Sequence, residues 1–301
     1  MRLGSLLEKA KSRSDYDYML WRRDYYMRRS APFQLPSEDS VEKCKMWCHY
    51  VGSLKGFRPK TFHSAYYLDQ RAVTRYFPPS MRWSFCPGDV YFTPKYPTIV
   101  KSRLLTGDNS NSILLKLDKL RHFLFLNDTI PFREKQDRVI FRGKIRHSRV
   151  RSLFMEKFYG STWVDCGVVG SNDGWPQEWF VPKKTLREHL EYKFIMALEG
   201  NDVASNLKWV MSSNSIAVMT RPTCETWFME GYLRPDYHYI EVKEDFSDLE
   251  EKINYYIRHP EEAEAIVRHA HEFIAPFRDS RREQLIQLMV LDKYLRLSNQ
   301  K

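Results

Sequence analysis

A polar turn behind an apolar segment in the last third of the chain could bind an anion. The turn is residues 200–202, and it follows the apolar residues 192–199. The next segment, 203–211, has apolar side chains at i, i+4, i+7 and i+8, which predicts a helix with one apolar face and turns Lys208 away from it. The first N–H groups of a helix have no partner within it, so a strand, a glycine turn and a helix start together can bind a phosphate. The alternative is a glycine that serves only the turn.

A second candidate anion site follows a predicted strand at residues 138–143. The strand ends in Phe141-Arg142-Gly143, which places the Arg142 guanidinium at the carboxyl edge of a sheet, where open α/β sheets bind ligands. An arginine can bond two phosphate oxygens at once. A solvated helix face would explain part of the basic cluster that comes next. Its members are Lys144, Arg146, His147, Arg149 and Arg151.

Five short motifs keep a fixed order between residues 193 and 239. They are Lys193-Phe194-Ile195, the run EGNDVASNLKW at 199–209, Ser213-Asn214-Ser215, Glu225-Thr226-Trp227-Phe228 and His238-Tyr239. In this order they resemble the donor-binding half of glycosyltransferase family 90. That family includes capsule-associated sugar transferases, protein O-glucosyltransferases and bacterial enzymes that decorate the lipopolysaccharide core.

The resemblance implies a sugar transferase. The enzyme would move a hexose or pentose from a nucleotide diphosphate sugar, a UDP-sugar, to a hydroxyl of a glycan acceptor such as a lipopolysaccharide core. The transfer would invert the configuration at the anomeric carbon and would need no metal ion. The nucleotide sugar would be a co-substrate, and no other cofactor is expected. The implied fold is α/β, with two Rossmann-like domains that face a cleft, the GT-B type.

Fixed donors and cations must meet the negative charge that develops on a leaving diphosphate. The family's phosphate-binding Phe-Arg-Gly is similar to the strand end at Arg142, which is therefore the first candidate. Animal members have an arginine at the position of Asn206, which leaves Lys208 or Lys144 to supply that charge. Glu225 is placed for the donor ribose, and the alternative is a surface acid at a helix start. The implied donor-binding set is Arg142, Gly143, Lys144, Gly200, Asn201, Val203, Ala204, Ser205, Asn206, Lys208 and Glu225.

An inverting transfer also needs a carboxylate that accepts the proton of the attacking hydroxyl. In the family this aspartate lies at a strand end in the first half, shortly before a segment similar to residues 98–103. Asp89, after Pro87-Gly88, matches that position. The alternative for Asp89 is a turn former. Asp108 is the second candidate for the base.

Two patterns could bind a metal ion, and neither is predicted to do so. Asp15 and Asp17 match the Asp-any-Asp motif of another class of nucleotide-sugar transferases, but they lie in a charged helical segment instead of at a buried strand end. Cys44 and Cys48 lie four residues apart with His49 beside them, but no further ligands follow at a spacing that suits zinc. An odd number of cysteines, five, fits a reducing compartment.

Strands and helices alternate along the 301 residues, which is typical of parallel sheets flanked by helices. The patterns predict helices at 41–51 and 61–77 and strands at 81–86 and 98–103. Three domains or segments are predicted. They are residues 1–135, the acceptor-side domain with a basic aromatic N-terminal helix; 136–279, the nucleotide-sugar-binding domain; and 280–301, a helix that crosses back to the first domain.

A net charge of +10 indicates an anionic partner: nucleic acid, an anionic membrane surface or a phosphorylated substrate. Arginines stand among aromatic residues near the N-terminus, where they could bind RNA or lipid headgroups, or belong to a helix that packs its tyrosines on the domain. They are Arg22, Arg23, Arg28 and Arg29. The chain has no apolar run of eighteen residues and no apolar signal core. A cytoplasmic protein, peripheral at the bacterial inner membrane, is expected.

Two other classes of function stay open. A nucleic-acid-binding module would explain the charge and the aromatic residues, but not the ordered motifs of residues 193–239. A non-catalytic relative would keep the fold without the activity. No dinucleotide fingerprint, Walker loop, His-Glu-any-any-His or nucleophile elbow occurs, which removes the usual support for dehydrogenases, kinases and hydrolases.

Overall fold

The computed structural model describes residues 10–44, 47–57, 64–146, 148–170 and 174–298. Contacts divide the chain into two compact units. Unit 1 is formed from Met1–Arg121, Cys224–Met229 and Asp279–Lys301, and unit 2 from His122–Thr223 and Glu230–Arg278. The predicted domain boundaries, after residues 135 and 279, place residues 224–229 in the second domain, whereas the structure places them in unit 1.

The helices and strands are numbered along the chain. The helices are α1 (Arg13–Met27), α2 (Ser64–Thr74), α3 (Lys119–His122), α4 (Arg149–Phe158), α5 (Leu186–His189), α6 (Leu207–Val210), α7 (Leu249–Arg258), α8 (Pro260–Ile274) and α9 (Ser280–Leu297). The strands are β1 (Ser40–Cys44), β2 (Trp47–Ser53), β3 (Arg82–Cys86), β4 (Thr98–Val100), β5 (Ser102–Leu104), β6 (Ser112–Leu114), β7 (Gln136–Gly143), β8 (Val164–Val168), β9 (Tyr192–Met196), β10 (Ile216–Met219), β11 (Cys224–Thr226) and β12 (Ile240–Glu241).

Unit 1 contains a mixed sheet in the order β1-β2-β3-β4-β6. The strands β1, β2 and β3 pair antiparallel, whereas β3, β4 and β6 are parallel. A second, two-stranded sheet pairs β5 with β11. The parallel half brings the carboxyl ends of β3 and β4 to one edge, which is where Asp89 follows.

The helix predicted at residues 41–51 is wrong, because this segment contributes to β1 and β2. The two strands pair from Ser40 with Val51 to Cys44 with Trp47. Strand β2 also pairs with β3, and this tertiary contact decides the conformation of a segment rich in Val, Tyr and Trp, residues that favour strands. The side chains of Cys44 and Cys48 are outside the described part of the chain. The helix predicted at 61–77 is confirmed in its described part as α2.

Helices α1 and α9 pack together in unit 1 around a buried charged residue. The Arg22 side chain is fully buried and forms an ion pair with Glu283. The Trp227 indole donates to Glu283 at 2.5 Å and stacks on Tyr26 with ring centroids 3.8 Å apart. Tyr26 of α1 therefore belongs to the core of unit 1, whereas Trp21 of the same helix is exposed.

The arginines near the N-terminus do not share an outward face. Arg22 is fully buried against Glu283, and Arg28 donates to Glu225 at 3.1 Å. A buried, paired guanidinium cannot reach a lipid headgroup. The interpretation that residues 22–29 bind an anionic surface through all four arginines is therefore wrong for Arg22, and the packing of α1 on unit 1 accounts for its tyrosines.

We expect Glu283→Ala to lower the free energy of unfolding by about 3–5 kcal/mol, because it leaves the Arg22 charge buried without its counter-ion. Urea unfolding followed by circular dichroism measures this loss. Arg281→Ala is the control, because Arg281 lies on the same helix and is exposed. An equal midpoint for Glu283→Ala and Arg281→Ala would show that the pair does not hold α1 against α9.

Unit 2 is built on a five-stranded sheet in the order β12-β10-β9-β7-β8, and every pairing in it is parallel. Helix α4 packs against β8, and α8 packs against β10. The prediction of an α/β fold is confirmed, and that of a parallel sheet is confirmed for unit 2, whereas the unit 1 sheet is mixed.

One face of the unit 2 sheet carries a large apolar core. Phe141 of β7 and Phe194 of β9 belong to it, together with Phe154 of α4. Neighbouring residues in a strand point to opposite faces of the sheet. The Arg142 side chain therefore leaves β7 on the face opposite this core.

Candidate functional site

A pocket of about 250 Å³ lies at the carboxyl edge of the unit 2 sheet. Arg142, Val169 and Met196 line it from the ends of β7, β8 and β9, at the place where parallel sheets bind ligands. The remaining lining comes from the connection before β9, from β9 itself and from the region of α6. These residues are Lys183, Lys184, His189, Ile195, Asn206 and Trp209.

The Arg142 guanidinium is held firmly at the pocket. Its Nη1 donates to the carbonyl oxygens of Phe141 and Asp165, both at 2.9 Å, and its Nη2 donates to Asp165 Oδ1 at 2.5 Å. A guanidinium has five N–H donors, so these three bonds leave the Nε–H and one Nη2–H. Nε is buried and has no hydrogen-bond partner within the described residues. The two remaining donors share one edge of the planar group, which suits two oxygens of one anion.

Asp165 is the residue that orients Arg142. Its carboxylate also accepts from the Tyr192 hydroxyl at 2.5 Å, and Lys184 Nζ lies 3.9 Å away. Burial alone would raise the pKa of Asp165, but the bonds from Tyr192 and Arg142 outweigh it, so the pKa is lowered. Burial and the same bond raise the pKa of Tyr192 to about 12. Asp165 is therefore ionised and Tyr192 neutral at pH 7.

His189 contributes a neutral imidazole to the pocket wall. Burial lowers its pKa, and Nδ1 lies 2.8 Å from the Thr185 carbonyl oxygen. A carbonyl only accepts, so Nδ1 must carry the proton and Nε2 is an acceptor. The ring meets the Trp209 indole edge to face, with centroids 5.7 Å apart. Asn206 is fixed nearby, because its Nδ2 donates to the Met196 carbonyl at 2.9 Å.

Two loops at this edge are joined by side chains of α4 and of its N-cap residue, Ser148. Arg151 donates to the Lys144 carbonyl at 2.7 Å and to the Leu198 carbonyl at 2.8 Å. Ser148 donates to the Glu199 carbonyl at 2.9 Å. A Cβ at Gly200 would lie 3.1 Å from the Arg151 guanidinium, so glycine lets the loops approach this closely. The loops after β7 and β9 are thus held as one rigid rim. His147, of the basic cluster, is outside the described part of the chain.

Asp89 follows the carboxyl end of β3 in unit 1. Its Oδ1 accepts from the ammonium of Lys101 at 2.6 Å, and the Lys101 side chain is fully buried whereas that of Asp89 is 20% exposed. Gly88 before it has φ +105°, which only glycine adopts readily. The next residue, Val90, bonds Ser102 Oγ through both its N–H and its carbonyl, each at 3.0 Å. These contacts fix a partly exposed carboxylate at a strand end.

Asp108 lies in a different setting. It is fully exposed, and the backbone N–H of Ser110 donates to its Oδ1 at 2.9 Å. This bond lowers the pKa of Asp108. A carboxylate that bonds a backbone N–H two residues on is typical of a turn.

Glu225 lies in unit 1, on β11, and it is fully buried. Its Oε1 accepts from Arg103 at 2.8 Å and from Arg28 at 3.1 Å, and its Oε2 accepts from the Tyr25 hydroxyl. The ribose role expected from the resemblance stays a prediction. In this structure the carboxylate is engaged by two guanidinium groups and a phenol.

Comparison with known proteins decides the family. Residues 114–300 match the model described as Glycosyl transferase family 90. The chain belongs to this family. O-glucosyltransferase LpsA of Dichelobacter nodosus is 39% identical over 273 residues, which are 91% of this chain and 81% of that protein. Protein O-glucosyltransferase 3 of Rattus norvegicus is 27% identical over 139 residues, 44% of this chain and 27% of that protein.

This glycosyltransferase does not have the helix start predicted for its anion site. Helix α6 begins at Leu207 and is a single turn, whereas a helix was predicted over residues 203–211. Val203 and Ala204 are buried before it, and the Ala204 carbonyl accepts from the Leu207 N–H at 3.2 Å in a turn. The amides of residues 203–206 are therefore not those of a long helix. Ser205 is exposed, and Asn206 is the member of this run that lines the pocket.

Lys208 is also placed differently from the prediction. It is fully buried, with Nζ 3.5 Å from Glu230 Oε1 and 5.2 Å from the centroid of the Phe123 ring. The pattern turns Lys208 away from the apolar face of a longer helix, but the structure has only the turn Leu207–Val210, and all four of its residues are buried. Lys144 is exposed on the rim and does not line the pocket.

The sequence patterns did not single out four polar residues of the pocket region: Asp165, Lys183, Lys184 and His189. Asp165 carried the one available signal, because it is an acid inside the apolar run 163–170. Among the described residues no group of three or more His, Cys, Asp or Glu side chains could hold a metal ion. No helix in the described part of the chain is long and apolar enough to cross a membrane.

Proposed function

We propose that this glycosyltransferase moves a hexose or pentose from a UDP-sugar to a hydroxyl of a glycan, with inversion and without a metal ion. Its family and its similarity to an O-glucosyltransferase support sugar transfer. The observation that carries the donor assignment is Arg142, which lines the unit 2 pocket and whose buried Nε–H has no hydrogen-bond partner among the described residues. Two lysines and a neutral histidine share that pocket.

The diphosphate of the donor would bind along the edge of Arg142 that carries its two remaining N–H donors. Phosphate oxygens accept both donors at once, and Lys183 and Lys184 add positive charge to the lining of the pocket. As the bond between the anomeric carbon and the diphosphate breaks, negative charge grows on the leaving group. Donors already fixed by Asp165 need little reorganisation to meet that charge.

Asp89 is the proposed base. The acceptor hydroxyl attacks the anomeric carbon from the side opposite the diphosphate, its proton passes to Asp89, and UDP leaves. This geometry inverts the anomeric centre. The proposed arrangement is the GT-B type expected from the sequence, in which the donor-binding and acceptor-side domains would face a cleft.

The proposed acceptor is a lipopolysaccharide core at the cytoplasmic face of a bacterial inner membrane. The resemblance to core-decorating enzymes and the net charge of +10 support an anionic glycolipid. The enzyme would associate peripherally with that surface. Since Arg22 is buried, other basic side chains must supply the attraction.

Binding and transfer assays test the proposal together. Thermal unfolding is measured with UDP, with a panel of nucleotide sugars and with a single-stranded RNA, because a ligand that binds the folded state raises its stability. We expect UDP and one UDP-sugar to stabilise the protein and that sugar to appear on a lipopolysaccharide core acceptor. Stabilisation by RNA alone would indicate a nucleic-acid-binding protein. No stabilisation by any nucleotide would indicate a non-catalytic relative.

We expect excess chelator to leave the transfer rate unchanged, because cations of the protein are proposed to neutralise the leaving diphosphate. Initial rates with and without chelator measure this. Loss of activity that magnesium or manganese restores would contradict metal independence and direct attention to Asp15 and Asp17.

A further inference from the structure

A second pocket, in unit 1, collects basic side chains. Its volume is about 140 Å³, and Lys55, Arg71 and Arg75 line it above the buried Leu54 and Phe77. None of the seven described residues that line it is acidic. The pocket is therefore cationic without an internal counter-charge on its wall.

The backbone fixes the three cations relative to one another. Arg71 lies in the last turn of α2 and Arg75 directly follows the helix, where its N–H donates to the Arg71 carbonyl at 3.4 Å, so the two residues lie one helical turn apart. The turn that carries Lys55 is bonded to the segment after this helix, through Leu54 N–H to the Met81 carbonyl at 2.7 Å. Lys55, Arg71 and Arg75 are all exposed to solvent.

These cations lack the acidic partners that other arginines of the protein have. Arg133, for example, is paired with Glu261 and Glu264. Within the described residues no ion pair includes Lys55, Arg71 or Arg75, and Arg75 donates only to the Tyr76 hydroxyl, at 3.0 Å. Like charges four residues apart on a helix repel each other. An anion bound between them offsets this repulsion, because it attracts each of the cations.

We infer that Lys55, Arg71 and Arg75 bind a phosphate group of an anionic ligand. A phosphate carries up to two negative charges and three acceptor oxygens, which matches two guanidinium groups and one ammonium better than a single carboxylate does. The site is separate from the donor pocket, because its lining residues belong to unit 1. It could hold a phosphate of a glycolipid headgroup or a soluble phosphate, and the inference does not depend on the proposed function.

The test compares the full chain with three variants. The first changes Lys55, Arg71 and Arg75 to serine. The control changes one exposed lysine and two exposed arginines elsewhere, Lys243, Arg268 and Arg281, to serine, so it loses the same net charge. The third variant is Arg142→Ala, which reports on the donor pocket separately. Calorimetry with inorganic phosphate at low salt and flotation with phosphatidylcholine vesicles, with and without phosphatidic acid, provide the two probes.

We expect the first variant to lose about a hundredfold in affinity for at least one probe, from the combined contribution of three basic side chains. The control should keep this binding, and salt should weaken it in the wild type. Arg142→Ala should lose only phosphate that binds in the donor pocket and keep the part that depends on Lys55, Arg71 and Arg75. Loss of inorganic phosphate binding identifies a soluble phosphate, and loss of vesicle binding alone identifies a lipid headgroup. The inference is wrong if the first variant and the control bind both probes equally.

Discussion

Arg142→Ala should lower the turnover number for sugar transfer by about a hundredfold or more, by analogy with the removal of other transition-state charge donors. The two unused N–H groups of Arg142 are proposed to meet charge on the leaving diphosphate, and alanine has none. Steady-state rates with the best UDP-sugar measure the effect. Circular dichroism must show that the fold is retained, since Arg142 also joins β7 to Asp165 of β8.

Ligand binding separates the phosphate role of Arg142 from a structural one. If Arg142 bonds the diphosphate, Arg142→Ala should weaken UDP binding and leave uridine binding unchanged, because uridine has no phosphate. Arg133→Ala is a control, because Arg133 is an arginine of the same unit that is half-exposed and paired with Glu261 and Glu264. Equal losses of UDP and uridine affinity would mean that Arg142 only shapes the pocket.

The strand end at Arg142 was predictable because its signal is local. The continuous apolar run Val139-Ile140-Phe141 before Arg142-Gly143 defines both the strand and the position of the guanidinium at its carboxyl edge. The bonds that orient the side chain were not predictable in this way. Asp165 reaches Arg142 only because β8 pairs with β7, and that pairing depends on the whole sheet.

The errors share a physical cause, which is tertiary contact. Residues 41–51 have no decisive period of their own, and pairing with β3 makes them strands. Lys208 looks like a surface residue by helical spacing, but Glu230, a partner later in the chain, lies beside it in the interior. The ion pairs of Glu225 with Arg103 and Arg28 also join distant parts of the chain, and its ribose role stays a prediction. Local sequence patterns do not reveal partners that lie far away in the chain.

The carboxylate at Asp89 gives the second large expected effect. Asp89→Asn should lower the transfer rate by about 10²–10⁴-fold, the usual contribution of a general base. Asparagine has nearly the same size and its carbonyl oxygen can still accept from Lys101, so the loop after β3 should keep its structure. UDP binding should be unchanged, because the proposed diphosphate site belongs to unit 2.

Asp108→Asn is the matched control, since it makes the same chemical change at the other candidate base. Asp108 is fully exposed and bonded to a turn amide, so its variant should transfer sugar at nearly the wild-type rate. If Asp108→Asn loses activity and Asp89→Asn does not, the base is Asp108. Lys101→Met tests how Asp89 is held. Without the buried ammonium the carboxylate loses its orientation, so we expect a lower turnover number at unchanged UDP affinity, and Lys101→Arg should restore part of it.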